Sequence, residues 1–361
     1  MNFLVISLAG IGDTLFSTPV IGELRENFPD AVIDALVLWP GARDLLERNP
    51  HVSTVFQKDF FKQHKLETLR FLWALRRRRY DVSINTHPQS RIHYLAVARL
   101  INARIRISHC YHRSPAVDRW FVNRSLPQDY SKHSVENNLA LLPLLGVTPR
   151  QPPRDCELFL SPAESASAEE FLTRHELKAR RRFGIHVGSG GTKNLALRRW
   201  PLEHYLTLIQ RVTENHPEVA ILLFGGPQEE QDHARILAQA PPRQVYVVRT
   251  ENIRQTAALL RTCDLFLSVD SSLMHLAAAV KVPNQFVLET PTFNKPNEPY
   301  QQRFTVLRNP HVAGRNLEFY LYDGRDIRGT REEIRRSMAS ITVDSVYEKL
   351  RNCLVASEQL A

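Results

Sequence analysis

Asp13 stands where an apolar run gives way to a glycine-rich turn. It follows Phe3–Leu8 and the turn Ala9-Gly10-Ile11-Gly12. A carboxylate at the carboxyl end of a buried strand can point into a cleft and serve as a general base. Asp is also common at helix N-termini, so a capping role is the structural alternative. The third glycine of a dinucleotide fingerprint is replaced by Leu15, which disfavours a nicotinamide enzyme.

A second polar group of residues follows the apolar run Leu265–Val269. It reads Asp270-Ser271-Ser272, with His275 one helical turn further on. Taken singly, Asp270 is explained as a helix cap and His275 as a partly buried histidine. Their joint occurrence at one strand-to-helix turn favours a binding site.

Strand-to-helix turns of this kind recur at residues 188–191, 225–227 and 270–272. In a parallel sheet these turns lie at the carboxyl edge, where such folds bind ligands. The backbone N–H groups of helix starts suit phosphate oxygens. Lys193 and Arg198 follow the first turn, and cations there can neutralise a diphosphate. The structural alternative is an exposed basic loop.

Positive charge is concentrated in residues 62–124. This segment holds 14 Lys or Arg residues, among them Arg76-Arg77-Arg78-Arg79, against three acidic residues, in a chain of net charge +9. Such a surplus predicts an anionic partner, which can be a phosphorylated substrate, an acidic membrane surface or nucleic acid. For the four arginines alone, complementing a helix C-terminus is an equally good explanation.

Metal-binding and membrane-spanning patterns are missing from the sequence. There is no Asp-x-Asp pair to hold a magnesium-bound diphosphate, and His109-Cys110-Tyr111-His112 lacks structural-zinc spacing. The four cysteines share no disulfide spacing and fit a reducing cytoplasm. No apolar stretch approaches the roughly 20 residues of a transmembrane helix.

The elements that must position these residues alternate between strand and helix. In the first part, apolar runs at 3–8, 31–38, 52–56 and 82–85 predict strands, and a helix is expected from Asp13 or Thr14 to Asn27. After a proline-rich junction at 149–153, a capped helix at 161–175 opens a second series of the same style. This alternation predicts an α/β protein with parallel sheets covered on both faces.

Several ordered motifs resemble glycosyltransferase family 9, the bacterial lipopolysaccharide heptosyltransferases. The opening Phe3-Leu4-Val5-Ile6 with Gly10-x-Gly12-Asp13 resembles that of the family. Gly188-Ser189-Gly190 followed by Arg199-Trp200-Pro201 is similar to its donor loop. Phe224-Gly225-Gly226-Pro227 and Asp270-Ser271-x-x-Met274-His275 resemble its later motifs. The likeness runs over about residues 1–355 with the motifs in matching order.

The resemblance implies a GT-B fold, in which two Rossmann-like domains with parallel sheets face a central cleft. We expect an acceptor-binding domain at 1–155, a nucleotide-sugar domain at 156–340 and a C-terminal helix at 341–361 that packs back on the body. The implied reaction is inverting and needs neither cofactor nor essential metal. It moves a sugar, heptose from ADP-heptose above all, to an anionic glycolipid such as the lipopolysaccharide inner core. The implied location is the cytoplasm, with peripheral contact at the inner membrane and no nucleic-acid partner.

By the same resemblance, Asp13 is the catalytic base. The expected donor-binding residues are Ser189, Gly190, Gly191, Lys193, Arg198, Asp270, Ser271, Ser272 and His275. The basic segment, with Gly12, is expected to bind the acceptor through Arg76, Arg77, Arg91 and Arg113.

The departures from the family pattern fall on the donor side. Ser272 stands where the family usually has glycine, and Leu288-Glu289-Thr290-Pro291-Thr292 replaces Phe-Gly-Pro-Thr. Pro227 stands where some members carry a glutamate that contacts the nucleoside. Two alternatives therefore stay open: a GT-B transferase that uses another nucleotide-sugar, and a non-catalytic basic binder of membranes or nucleic acid.

Overall fold

Buried apolar strands form the centre of each of two structural units. The structure, a computed structural model, describes residues 1–60, 64–89, 92–110, 115–190, 195–312 and 330–355. Unit 1 holds the described part of Met1–Phe159 together with Lys295–Tyr300, and unit 2 holds Leu160–Asn294 with the described part of the remaining chain. The division follows Phe159, against the expected boundary after residue 155.

Unit 1 is a parallel six-stranded sheet in the order β3-β2-β1-β4-β5-β6. Its strands are β1 (Asn2–Ser7), β2 (Val32–Val37), β3 (Thr54–Gln57), β4 (Val82–Asn85), β5 (Ile105–Cys110) and β6 (Arg124–Pro127). Its helices are α1 (Ile11–Leu15), α2 (Thr18–Asn27), α3 (Pro40–Glu47), α4 (Lys65–Arg77), α5 (Ile92–Ile101), α6 (Pro115–Phe121) and α7 (Ser134–Leu139).

The single helix expected after Asp13 is divided into α1 and α2, so that prediction is corrected. Pro19 has no N–H to donate to the carbonyl of Leu15, which interrupts the helical ladder. The hydroxyl of Thr18 donates to that carbonyl instead, at 2.8 Å, and the hydroxyl of Ser17 donates to the carbonyl of Thr14 at 2.6 Å. The break leaves α1 as a short turn that carries Asp13 at the end of β1.

Unit 2 repeats the same topology in the order β12-β11-β10-β7-β8-β9. Its strands are β7 (Arg181–His186), β8 (Val219–Phe224), β9 (Val245–Val247), β10 (Leu265–Val269), β11 (Asn284–Leu288) and β12 (Phe304–Leu307). Its helices are α8 (Pro162–Arg174), α9 (Leu202–Asn215), α10 (Glu230–Leu237), α11 (Ile253–Leu260), α12 (Ser272–Ala279), α13 (Arg331–Ala339) and α14 (Val343–Leu354). The expected α/β class with two Rossmann-like parallel sheets is confirmed.

Helical periodicity determines which face of each helix in unit 2 enters the core. In α9 the buried side chains are Tyr205, Leu208, Ile209 and Val212, spaced as one stripe of a helix. The C-terminal helix α14 packs against α9 and β12 through a similar stripe. The expected capping box of α8 is present, since Ser161 and Glu164 each accept the other's backbone N–H.

Each sheet has one point where the strand order reverses, between β1 and β4 in unit 1 and between β7 and β10 in unit 2. The connections that leave these two strands run to opposite sides of the sheet, which opens a crevice beyond their carboxyl ends. The two motifs that carry Asp13 and Asp270 lie at these positions. None of the helices in the described ranges is long and apolar enough to cross a bilayer.

Candidate active site

Asp270 in unit 2 forms a buried ion pair with Arg198. The distance from Oδ2 of Asp270 to Nη1 of Arg198 is 2.7 Å, and the two side chains are 8% and 12% exposed. Asp270 directly follows β10, whereas Arg198 ends a 3-10 helix (Leu195–Arg198) between β7 and α9. The pair therefore connects the segments that follow the two central strands of the sheet.

Arg198 also reaches the segment that follows β11. Its Nη1 donates to the hydroxyl of Thr292 at 2.7 Å, and Thr292 in turn bonds the hydroxyl of Thr290 at 3.2 Å. Burial raises the pKa of Asp270, and the positive charge of Arg198 opposes that shift. Nε of Arg198 is buried without a hydrogen-bond partner within the described ranges. The guanidinium is thus fixed in place through Nη1, and its bonds to other described residues leave the N–H groups of Nη2 unused.

His275 is a neutral neighbour of this pair. It lies on the first turn of α12, with Nε2 3.9 Å from Oδ1 of Asp270. Burial, assisted by the charge of Arg198, lowers the pKa of His275 to about 3. The imidazole is therefore uncharged at neutral pH and acts as a hydrogen-bonding group rather than as a cation.

Ser271 connects the start of α12 to the end of β7. As N-cap, its hydroxyl oxygen accepts the N–H of Met274, and it bonds Nδ1 of His186 at 3.1 Å. Burial lowers the pKa of His186 to about 3, with smaller contributions from Arg199 and His233. Neutral His186 thus aligns the helix start, where Ser272 is the first helical residue.

Glu229 is a central residue of this edge that the sequence analysis did not identify. Its carboxylate forms an ion pair with Arg199 at 2.6 Å and accepts the N–H of Gly226 at 2.9 Å. Arg199 also donates to the carbonyl of Ser189 at 3.2 Å. The two residues therefore bind the turn after β7 to the turn after β8. The spacing from Gly226 to Glu229 is that of a capping box, which was the available signal.

Of the predicted donor-binding residues, the structure brings together Arg198, Asp270, Ser271, Ser272 and His275. Ser189 is buried and Gly190 is exposed at the turn after β7. Gly191 and Lys193 lie outside the described residues.

Asp13 occupies the corresponding edge of unit 1. It is the third residue of α1, half-buried, and its Oδ2 accepts the N–H of Gly10 at 2.7 Å. The expected capping role is therefore present, although the N-cap itself is Gly10. Gly12 is buried one residue before it. The hydrogen bond holds the carboxylate at the carboxyl end of β1.

Buried polar side chains surround the adjacent end of β4. Thr86 donates to the carbonyl of Ile6 at 3.2 Å, and Gln89 donates to the same carbonyl. The backbone N–H of His87 donates to the side chain of Asn138 at 2.7 Å. Burial, with the nearby His109 and His133, lowers the pKa of His87 well below its usual range. This network ties the ends of β1 and β4 to α7.

Two of the four predicted acceptor-binding arginines, Arg76 and Arg77, do not come together with Asp13. Arg76 and Arg77 form the last turn of α4, which leads into the beginning of β4. They therefore lie at the amino edge of the sheet, opposite the edge that carries Asp13. Arg91 and Arg113 lie outside the described residues.

Comparisons with known proteins identify relatives of the whole fold. The sequence model of the family described as "Glycosyltransferase family 9 (heptosyltransferase)" matches residues 68–318. Lipopolysaccharide heptosyltransferase 3 of Escherichia coli is 28% identical over 288 residues, which cover 75% of this chain and 78% of that protein.

Two solved structures share the fold along the full length. The E. coli ADP-heptose LPS heptosyltransferase II has a TM-score of 0.71 at 22% identity, with 100% of each chain covered. The E. coli heptosyltransferase WaaC with ADP-2-deoxy-2-fluoro heptose has a TM-score of 0.70 at 20% identity, covering 98% of this chain and 99% of that one. Together with the family match over most of the sequence, these findings show that the chain belongs to glycosyltransferase family 9 and is a glycosyltransferase.

Proposed function

We propose that this glycosyltransferase transfers heptose from ADP-heptose to an anionic glycolipid of the lipopolysaccharide inner-core type, with inversion and without an essential metal. The observation that carries the proposal is the buried Arg198–Asp270 pair beside His275, at the strand-order reversal of unit 2. An arginine fixed by a carboxylate is preorganised to bind a diphosphate without losing further side-chain entropy.

The donor would bind at the carboxyl edge of unit 2. Arg198 and the backbone N–H groups at Ser189, Gly190 and the start of α12 would hold the diphosphate, with Gly191 and Lys193 as further candidates. Asp270 would accept hydrogen bonds from sugar hydroxyls, and neutral His275 would bond a sugar hydroxyl or donate to a phosphate oxygen. A heptose donor is supported by the family and by the E. coli heptosyltransferase WaaC, whose structure contains ADP-2-deoxy-2-fluoro heptose.

The reaction would be a single displacement. Asp13 accepts the proton of an acceptor hydroxyl, whose oxygen forms a bond to the anomeric carbon of the donor. The bond from that carbon to the diphosphate oxygen breaks, and its electron pair leaves with the nucleoside diphosphate. Because attack comes from the face opposite the leaving group, the anomeric configuration inverts.

The location proposed for this reaction is the cytoplasmic face of the inner membrane, where such an acceptor would be exposed. The acceptor would bind to unit 1 near Gly12 and Asp13. Arg91 and Arg113 stay candidates for acceptor contacts, whereas Arg76 and Arg77 lie at the other edge of the sheet.

A panel of ADP-, UDP- and GDP-linked sugars tests the donor. We expect ADP-heptose to raise the melting temperature, because a ligand at 100 times its Kd stabilises the native state by about 2.7 kcal/mol. The product released from ADP-heptose should have the inverted anomeric configuration by NMR. If only a UDP- or GDP-hexose stabilises the protein and is transferred, the protein is a GT-B transferase that uses another nucleotide-sugar.

Variants of Arg198 test whether the described site is the one used. Arg198→Gln should abolish the shift caused by ADP-heptose. Arg174→Gln is the matched control, since Arg174 is exposed on α8 and paired with Glu170. If Arg198→Gln binds the donor like the control does, the diphosphate binds elsewhere.

A further inference from the structure

The outer face of α4, α5 and α6 is unusually apolar for an exposed surface. Within the described residues, ten large apolar side chains are exposed, and seven of them lie on these three helices. They are Leu66, Leu69, Trp73, Ile92, Leu100, Val117 and Trp120. Exposed apolar side chains that cluster in this way on a surface in contact with water mark an interaction site.

The three helices form one layer of unit 1. Helix α5 contacts both α4 and α6. The inward faces of α4 and α5 pack on the sheet through Leu72, Leu75, Tyr94 and Val97, all buried. In α4 the outward residues Leu66, Leu69 and Trp73 follow each other at helical spacing, so they form a stripe opposite the core. The side chains of this stripe take no part in packing the core of the unit.

Arginines accompany the exposed aromatic rings. The guanidinium of Arg77 lies 3.7 Å from the ring centre of Trp73, and that of Arg99 lies 5.4 Å from the ring centre of Trp120. Trp73, Arg76, Arg77 and Arg104 line a shallow groove of about 610 Å³. Trp paired with Lys or Arg is typical of surfaces that lie in the interface of a bilayer, where the ring meets the acyl boundary and the cation meets phosphate.

Negative charge on this face is scarce. Among the described residues of the segment 64–124, the acidic residues are Glu67, Asp81 and Asp118. Asp118 is buried, and Asp81 accepts the backbone N–H of Asn2. Glu67 is the one fully exposed acid of these three. The uncompensated arginines make the face complementary to a strongly anionic surface.

We propose that the outer face of α4–α6 docks this protein on an anionic phospholipid bilayer, with Trp73 and Trp120 in the headgroup region and Arg70, Arg76 and Arg77 on lipid phosphates. This surface is distinct from the carboxyl edges of the two sheets, and its use depends neither on the donor sugar nor on the acceptor. A layer that is both apolar and basic fits a membrane better than it fits nucleic acid, since Leu66, Leu69 and Ile92 offer nothing to a phosphate backbone.

Flotation with vesicles that contain neither donor nor acceptor tests the docking separately from the proposed reaction. The vesicles consist of phosphatidylcholine alone, or of phosphatidylcholine and phosphatidylglycerol at about three to one. We expect the protein to float with the anionic vesicles and not with the neutral ones. Raising the salt until the Debye length falls to about 3 Å should release most of it.

Two variants separate the charged from the apolar contribution. Arg70→Gln/Arg76→Gln/Arg77→Gln should weaken partitioning about 100-fold, since each arginine near an anionic surface contributes roughly a factor of five. Trp73→Ala/Trp120→Ala should weaken it about tenfold or more, because binding scales with the apolar area buried. Thermal denaturation verifies that both variants remain folded.

The controls remove positive charge and apolar surface elsewhere on the protein. Arg174→Gln/Arg235→Gln/Arg336→Gln removes three exposed arginines of unit 2, and Leu237→Ala removes an exposed apolar side chain of α10. Both should float like the wild type. The proposal is overturned if the wild-type protein ignores anionic vesicles, or if the controls lose binding as strongly as the α4–α6 variants do.

Two other occupants of the face would also overturn it. One is RNA, which would bind with the same dependence on Trp73 and Trp120 while vesicles would not bind. The other is a second copy of the chain, in which case the protein would sediment as a dimer and Trp73→Ala/Trp120→Ala as a monomer.

Discussion

The carboxylate of Glu229 lies so close to the backbone of Gly188 that a Cβ atom on residue 188 would stand 2.3 Å from its Oε1. Glu229 cannot move away easily, because Arg199 and the N–H of Gly226 hold both of its oxygens. The glycine after β7 is therefore required by packing between two turns rather than by backbone conformation.

Gly188→Ala should consequently displace Glu229 and loosen the donor edge. We expect unfolding to become easier by about 1–3 kcal/mol, as for other overpacked sites, with weaker donor binding. Gly226→Ala is the control, since its nearest neighbour would be 3.9 Å away and its N–H is retained; it should change stability by less than about 0.5 kcal/mol. Urea denaturation measures the stability of the two variants, and titration with the donor measures its affinity. Equal losses in Gly188→Ala and Gly226→Ala would contradict the packing argument.

The same contact predicts strong coupling between the two positions. In a background of Glu229→Ala the obstacle is gone, so adding Gly188→Ala should cost little more. A double-mutant cycle should therefore give an interaction energy of about 0.5–3 kcal/mol. If the destabilisations caused by Gly188→Ala and Glu229→Ala instead add to within about 0.3 kcal/mol, the clash is relieved by the movement of other groups and not of Glu229.

Asp13→Asn should preserve structure while it removes the base. The amide oxygen can still accept the N–H of Gly10, so the melting temperature and the affinity for ADP-heptose should stay close to those of the wild type. Turnover should fall by roughly 10²–10⁴-fold, the usual contribution of a positioned base. A variant with nearly unchanged turnover would exclude Asp13 from the chemistry.

Acid should destabilise unit 2 through its neutral buried histidines. In the unfolded chain His186 and His275 take up protons near pH 6.5, whereas in the native state their pKa is about 3. Their stabilising contribution is therefore complete above pH 6.5 and is lost as the pH falls from 6.5 towards 3. For each histidine, the free energy of unfolding should fall by about 1.4 kcal/mol for every pH unit of acidification in that interval.

His186→Asn isolates one of these two contributions. Its stability should fall less steeply between pH 6 and about pH 4 than that of the wild type, by about 1.4 kcal/mol per pH unit. Above pH 7 the two proteins differ by a constant offset, which comes from the lost packing of the imidazole and from its hydrogen bond to Ser271 and serves as the reference. Parallel pH profiles would refute a neutral His186.

Transfer should continue in excess EDTA. The sequence has no Asp-x-Asp pair, so we assign the charge of the departing diphosphate to Arg198, to Lys193 and to helix starts. Initial rates with EDTA and with added magnesium should agree. A rate that EDTA abolishes and magnesium or manganese restores would refute this assignment.

Much of the fold is readable from hydrophobic periodicity. Of the strands at the reversal points, β4 and β10 have the expected bounds, and β1 begins and ends one residue earlier than expected. Two of the four edge strands, β6 and β12, were not predicted: β6 is Arg-Ser-Leu-Pro and largely exposed, and β12 is only partly buried. A strand with one neighbour needs little apolar surface, so its sequence carries a weak signal.

The candidate site likewise has one part that the sequence predicts and another that it does not. Asp270, Ser271 and His275 are near one another in the chain, and their proximity follows from a strand followed by a helix. The contact of Glu229 with Gly188 joins turns 41 positions apart, and no local pattern announces it. The placement of Arg76 and Arg77 could have been derived from the order of the elements, since a helix that leads into a parallel strand must end at the amino edge of the sheet. The expectation that they bind the acceptor beside Gly12 overlooked this constraint.

Residues 295–300 belong to unit 1, although they lie between β11 and β12 of unit 2. His133 bonds the carbonyl of Glu298 at 2.8 Å, and Ser134 donates to the carbonyl of Pro296 at 2.8 Å. During synthesis, unit 1 therefore still lacks residues 295–300 when residue 159 has left the ribosome. At about 5–20 residues per second it waits about 7–30 s for residues 295–300, and most of unit 2 is synthesised in that time. A gene fragment that stops at residue 159 would accordingly encode an open domain with the partners of His133 and Ser134 missing.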